Sequence, residues 1–173
     1  MNLYLIGYRG SGKTTVAAEL ARLLGWKWLD ADVEIERRAG KTIKEIFADS
    51  GEQTFRDLEV AVIANVAKLT NHVIALGGGA IMREESRQAI GGSGKTVWLD
   101  AAPEIIFQRI SGDPSTAERR PNLTVEGGLA EVERLLALRS PVYAACADLT
   151  LAATDATPAE LAMQIADWLR TAG

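Results

Sequence analysis

The run Gly7-Tyr8-Arg9-Gly10-Ser11-Gly12-Lys13-Thr14 carries the clearest chemistry in the chain. It satisfies the phosphate-loop pattern, with Gly7 and Gly12 at the required spacing and Lys13-Thr14 closing it. Glycines there let the backbone wrap until several amides point inward at one anion, and a following helix adds its positive end. Lys13 is long enough to reach the outer phosphates, and the Thr14 hydroxyl is a hard oxygen suited to Mg²⁺. These residues imply a nucleoside triphosphate site. The flanks agree, because an apolar run, Leu3 to Ile6, precedes the loop and an amphipathic stretch, Thr14 to Leu24, follows it.

A second Gly-Ser-Gly-Lys-Thr, at 92–96, tests that rule. Ala89 stands where the first glycine is needed, and a strand pattern follows instead of a helix, so no amide cluster forms. That copy reads as a surface turn. Asp30 and Asp32 lie two apart at the end of a strand pattern and can project to the same side. Ligands in doubly wound sheets bind beyond the carboxyl ends of the strands, so both acids should lie near the loop if the two strands are neighbours. One carboxylate could hold Mg²⁺ through water and the other could bond an acceptor hydroxyl; the competing reading is a helix N-cap. Gly77-Gly78-Gly79 ends another strand and admits close approach of a ligand, or is a plain tight turn. Arg56 adjoins the apolar Phe55, Arg139 precedes Ser140-Pro141-Val142-Tyr143, and the pair Arg119-Arg120 sits where a basic loop could close over a polyphosphate. His72, the only histidine, reads as a surface turn residue. Cys146 and the four tryptophans, Trp26, Trp28, Trp98 and Trp168, read as packing residues.

The elements that must position these groups alternate short apolar runs with longer amphipathic ones, the pattern of an α/β fold with a parallel sheet flanked by helices. Strands are expected at Leu3 to Ile6, around Trp28-Leu29, at Val73 to Leu76, at Val97 to Leu99 and at Asp148 to Leu151. Gly25 ends the first helix. Two capping boxes, Thr42 with Glu45 and Ser50 with Gln53, offer two helix starts. The second opens a long helix with Phe55, Leu58, Val62, Val66 and Leu69 on one face. Further helices are expected from Pro103, from Leu129 to Arg139 and from Thr157-Pro158 onward. Residues 112–128, rich in Gly, Pro, Asp and Thr without apolar period, form a long loop.

With 173 residues the chain suits one domain spanning 1–173. A net charge of −4 argues against a nucleic-acid partner. A single cysteine excludes an internal disulfide. No run of about 18 apolar residues suggests a membrane span, and the apolar start reads as a buried strand rather than a signal peptide. A cytoplasmic monomer is expected.

Taken in order, Gly-Tyr-Arg-Gly-Ser-Gly-Lys-Thr-Thr at 7–15, Leu-Asp-Ala-Asp at 29–32, Gly-Glu-Gln-Thr-Phe-Arg at 51–56, Gly-Gly-Gly at 77–79, Arg-Pro-Asn-Leu at 120–123 and Arg-Ser-Pro-Val-Tyr at 139–143 resemble the shikimate kinases over nearly the whole length. The resemblance implies a P-loop NTPase fold of the nucleoside-monophosphate-kinase type: a five-stranded parallel sheet flanked by helices, a substrate-binding helical region at about 33–60 and a lid loop at about 112–128. It implies ATP and Mg²⁺, with transfer to the 3-hydroxyl of shikimate in aromatic amino-acid biosynthesis. Gly10, Ser11, Gly12, Lys13, Thr14 and Thr15 would hold the phosphates, Thr14 the metal, and Asp30 its outer shell. Asp32 would orient the reacting hydroxyl and act as base. Arg56 and Arg139 would clamp the carboxylate, a task suited to planar guanidinium forks, and Gly77, Gly78 and Gly79 would line the ring. Arg120 would neutralise charge on the transferred group. With Lys13 and Asp32 it completes the expected catalytic set.

Two departures stand out. The lid motif commonly continues Arg-Pro-Leu-Leu, whereas Asn122 stands here, and the Arg119-Arg120 doublet leaves two candidates for the lid arginine. Some members carry a C-terminal arginine near adenine, where this chain has Ala153-Thr154-Asp155; Arg109 could stack on the base instead. The alternatives are another small-molecule kinase of the same fold, such as a gluconate kinase, a nucleoside monophosphate kinase, or a non-catalytic nucleotide-binding regulator. The expected arginine set suits a carboxylate rather than a second phosphate.

Overall fold

The computed structural model describes residues 1–114 and 127–171, so Arg119, Arg120 and most of the expected lid lie outside the described residues. All five expected strands form: β1 (Asn2–Ile6), β2 (Lys27–Asp30), β3 (His72–Ala75), β4 (Gly94–Asp100) and β5 (Leu149–Ala152). They are parallel, in the order β2-β3-β1-β4-β5. Central β1 is buried from end to end, as a strand covered on both faces must be. Its period of two divides it between two cores. Leu3 and Leu5 join Val73, Ala75, Val97 and Leu99 on one face, against α1 (Lys13–Leu24) and the last helix, α7 (Pro158–Thr171). Tyr4 and Ile6 join Ile74, Leu76 and Trp98 on the other, against α2 (Ala31–Ala39) and α3 (Ile43–Val66).

The remaining helices are α4 (Glu84–Gly91), α5 (Pro103–Ser111) and α6 (Gly128–Cys146), with a 3₁₀ turn at Ala80–Met82. Neither α4 nor the 3₁₀ turn is foreshadowed by an apolar period; α4 is short and polar, with only Ser86 and Ile90 buried. Other expectations need correcting. Thr42 and Glu45 close their capping box, but Gln53 donates to Asp57 (3.2 Å), so the second box does not form. The second helix start itself is present, because Gly51 (φ 79°, ψ 171°) breaks the helical backbone and α3 is two helices joined at a kink. That helix ends at Val66, which leaves Leu69 in the following turn and largely out of the core.

Pro141 was expected to lie beyond its helix, yet α6 runs on to Cys146. A proline removes one backbone donor, and here tertiary contact compensates, because Tyr143 is fully buried and donates to the Gly78 carbonyl. Trp28 is no packing residue: it lies on edge strand β2 with 44% exposure. His72 opens β3 half-buried, and the turn residue beside it is Asn71, with φ 57°. Among the described residues no helix is long and apolar enough to cross a membrane.

Candidate active site

The phosphate loop leaves β1 and enters α1 through Gly12, whose φ of 93° lies in the left-handed region that favours glycine. The Lys13 ammonium is buried inside the loop and donates to the carbonyls of Gly7 (2.8 Å) and Tyr8 (2.7 Å), with Ser11 Oγ at 3.4 Å. The charge therefore stands at the centre of the curve its own backbone makes.

Asp30, the last residue of β2, does two jobs at once. Its Oδ1 accepts from the amides of Asp32 (2.9 Å) and Val33 (3.4 Å), which caps α2, while Oδ2 accepts from the Thr14 hydroxyl at 2.7 Å. The two readings of this acid are thus compatible, since each uses a different oxygen. Capping turns α2 so that Asp32 and Glu36 reach the same cavity as Thr14.

That cavity, about 400 Å³, is lined by Gly10, Gly12, Lys13, Thr14 and Thr15 of the loop and the start of α1. Asp30, Asp32, Gly77, Gly78 and Arg109 line it as well. Ser11 is buried beneath the loop. Arg109 donates to the carbonyls of Gly10 (3.3 Å), Ala153 (3.2 Å) and Thr154 (3.4 Å), stitching the loop to the end of β5.

Gly79, Arg56 and Arg139 do not line this space; the two arginines stand against the glycine run. A Cβ on Gly79 would fall 2.5 Å from Arg56 Nη1, and one on Gly78 would fall 3.2 Å from Arg139 Nη1. A side chain at either position would displace a guanidinium, so close approach explains these two glycines. Arg56 Nη1 is held by Glu59 at 2.7 Å, an acid only 1% exposed, and its Nη2 lies 3.5 Å from Glu52. The Arg139 guanidinium rests over the Tyr8 ring at 5.5 Å. Burial pushes the Tyr8 phenol up from its ordinary value, opposed by the charges of Arg9 and Arg139.

Several residues at the site were not singled out by sequence. Arg9, Glu36, Ile43, Leu76, Ile110 and Asp113 line the cavity. Of the acids behind it, Glu59 was legible in principle, because an acid three residues after Arg56 on a helix faces it. Glu36 and Glu131 carried no such signal.

Since β3 lies between β1 and β2, Asp30 ends a strand one place removed from the loop, and the space over β3 is left open for an acceptor above the glycine run. A phosphate loop facing such a space defines a P-loop NTPase fold of the nucleoside-monophosphate-kinase type. Within that class the chain belongs to the shikimate kinase family, whose family model, described as Shikimate kinase, matches residues 9–170. It is 49% identical to a shikimate kinase of Rhodopirellula baltica over 87% of this chain and 80% of that one. A shikimate kinase of Symbiobacterium thermophilum is 39% identical over 100% of this chain and 98% of its own. In three dimensions the chain is similar to a shikimate kinase from Acinetobacter baumannii solved in complex with shikimate, with a TM-score of 0.92, 36% identity and coverage of 98% and 93%.

Proposed function

We propose that the chain transfers the γ-phosphoryl group of ATP to the 3-hydroxyl of shikimate, in aromatic amino-acid biosynthesis in the cytoplasm. The observation that carries this reading is the glycine run, with Gly79 against Arg56, Gly78 against Arg139, and Gly77 and Gly78 lining the same cavity as the phosphate loop. Two guanidiniums close to one backbone suit a single planar anion such as a carboxylate, which bidentate forks bind best. Family membership favours shikimate over gluconate or a nucleoside monophosphate as the acceptor.

In this reading the loop amides from Gly10 to Thr15 and the Lys13 ammonium hold the phosphates, and Arg109 offers the base a flat face. Asp32 accepts a hydrogen bond from the acceptor hydroxyl and takes its proton, which orients the attacking oxygen toward the loop. Arg56 and Arg139 hold the carboxylate, and the glycines let the ring lie close to the backbone. Arg120 serves as the lid arginine. The whole chain works as one kinase unit.

The donor set fits Mg²⁺. Thr14 Oγ1 and Asp30 Oδ2 are hard oxygens 2.7 Å apart, and among the described residues no cluster of three or more His, Cys, Asp or Glu is placed as a metal cage. Magnesium keeps most of its waters and needs few protein ligands, so Thr14 would bind it and Asp30 would hold its water. When bound, the ion neutralises charge on the phosphates.

Incubation with shikimate and ATP labelled in its terminal phosphorus tests the proposal. Label recovered on shikimate at the 3-oxygen is expected. Label found only as inorganic phosphate, at the same rate with and without shikimate, would overturn it.

A further inference from the structure

Arg9 occupies a variable position of the phosphate loop, where the pattern itself asks for no cation. It lines the cavity, and its backbone amide lies 3.4 Å from where a Cβ on Gly78 would stand. It therefore sits at the seam between the loop and the glycine run. Among the described residues the guanidinium pairs with Glu131, with Nη2 to Oε2 at 3.4 Å and side-chain exposures of 15% and 1%. Tight charge-assisted bonds run about 2.7–2.9 Å, so this pair positions the group without consuming it. Arg9 Nε is buried with no hydrogen-bond partner among the described residues. A guanidinium has five donors, and among the described residues Nε is left over beside a space that must receive a phosphoryl group.

Glu131 lies in the first turn of α6, where the helix's positive end favours an acid, and the same helix carries Arg139. One rigid element thus holds a clamp residue at one point and the acid that places Arg9 at another.

We propose that Arg9 is a further phosphate-binding residue on the acceptor side, donating to the phosphoryl group as it reaches the acceptor oxygen and in the phosphorylated product. Glu131 is its positioning residue, holding the guanidinium at the seam. This inference rests on the proposed transfer to shikimate. It separates Arg9 from Arg56 and Arg139, which meet the carboxylate present before and after transfer. Loss of Arg9 must weaken the product more than the substrate.

The experiment uses the full chain and measures, by calorimetry, the affinities of shikimate and of shikimate 3-phosphate, beside kcat and the KM of each substrate. Arg9→Met is expected to lower kcat about tenfold to a hundredfold, as loss of one preorganised donor does. It should weaken the 3-phosphate by about tenfold and leave shikimate affinity within about twofold. Arg9→Lys keeps the charge and the pair with Glu131 but loses the fork, and should recover part of both losses. Glu131→Gln should shift the same quantities in the same direction by less, and should add nothing in the Arg9→Met background. Equal weakening of shikimate and its 3-phosphate, or additive losses in the double variant, would reduce the pair to a structural staple and overturn the inference. A wild-type chain that does not phosphorylate shikimate overturns the functional reading beneath it. A working enzyme with unchanged product affinity in Arg9→Met overturns this inference alone.

Discussion

The nucleotide side and the acceptor side of the cavity are built by opposite means. The nucleotide side is one contiguous loop whose working groups are mostly backbone amides, with a lysine folded into its own curve. The acceptor side is gathered from α2, α3, α6 and the run after β3, and its working groups are side chains steadied by buried acids. Backbone amides cannot be deleted by substitution, whereas guanidiniums and carboxylates can. Substitutions on the acceptor side should therefore damage acceptor binding or transfer and spare ATP, and substitutions in the loop should do the reverse.

The sharpest test of that division is Asp32→Asn, which keeps shape and removes the carboxylate proposed as proton acceptor. It should lower kcat about a hundredfold to ten-thousandfold, the usual range for a lost general base. ATP affinity, read by fluorescence titration, should stay within about twofold. A large loss of ATP binding would break the comparison.

Arg56→Ala comes next. Removing one member of a buried pair costs about 3 kcal/mol, roughly a hundredfold in affinity, and part of that is the acid left behind. The loss should appear in the KM for shikimate with the KM for ATP nearly constant. Because Glu59 is only 1% exposed, the melting temperature should fall as well, and Glu59→Gln in the same chain should restore part of it.

Two glycine substitutions sharpen the contrast further. In Gly79→Ala the atoms nearest the new methyl are the flexible end of Arg56, so the guanidinium shifts at about 1 kcal/mol and the KM for shikimate rises several-fold. Gly12→Ala meets no atom within 4 Å, yet its φ of 93° strains any other residue. Its penalty should fall on ATP affinity. Steady-state kinetics with each substrate varied separately distinguishes the two, and an identical pattern for both would erase the comparison.

The smallest effect concerns acid stability at the start of α3, the helix that carries Arg56. Hydrogen bonds from the Thr42 amide and hydroxyl hold the Glu45 carboxyl below its ordinary value. A lowered folded value means a stabilisation that is complete above the unfolded value, about 4.3, and is lost as pH falls through the folded one. Glu45→Gln should therefore flatten the acid limb of the melting temperature against pH and leave shikimate affinity at neutral pH unchanged. A steeper acid limb in the variant would contradict the sign.

The same division explains what could be read from sequence. The form of the phosphate loop was legible because it is local: glycine spacing between a strand and a helix suffices. The strands were legible because period two and apolar content coincide, as Leu3 to Ile6 show. Asp30 and Asp32 were legible as a pair, but the division of Asp30's two oxygens between the cap and Thr14 required the fold. Residues whose meaning depends on a distant partner were not legible. Arg9 gave no hint of Glu131, and Tyr143 gave none of its bond to Gly78 across the glycine run. The helix through Pro141 failed for the same reason, since local preference for a stop lost to a buried tyrosine beyond it. Trp28 failed in the opposite direction, because an aromatic on an edge strand need not be covered.

The most direct test of the account is a coupled ADP-release assay with ATP and Mg²⁺, offering shikimate, gluconate and AMP in turn. The account predicts release that depends on shikimate and stays at background with the other two acceptors. Background release with shikimate, or equal release with all three, would contradict it.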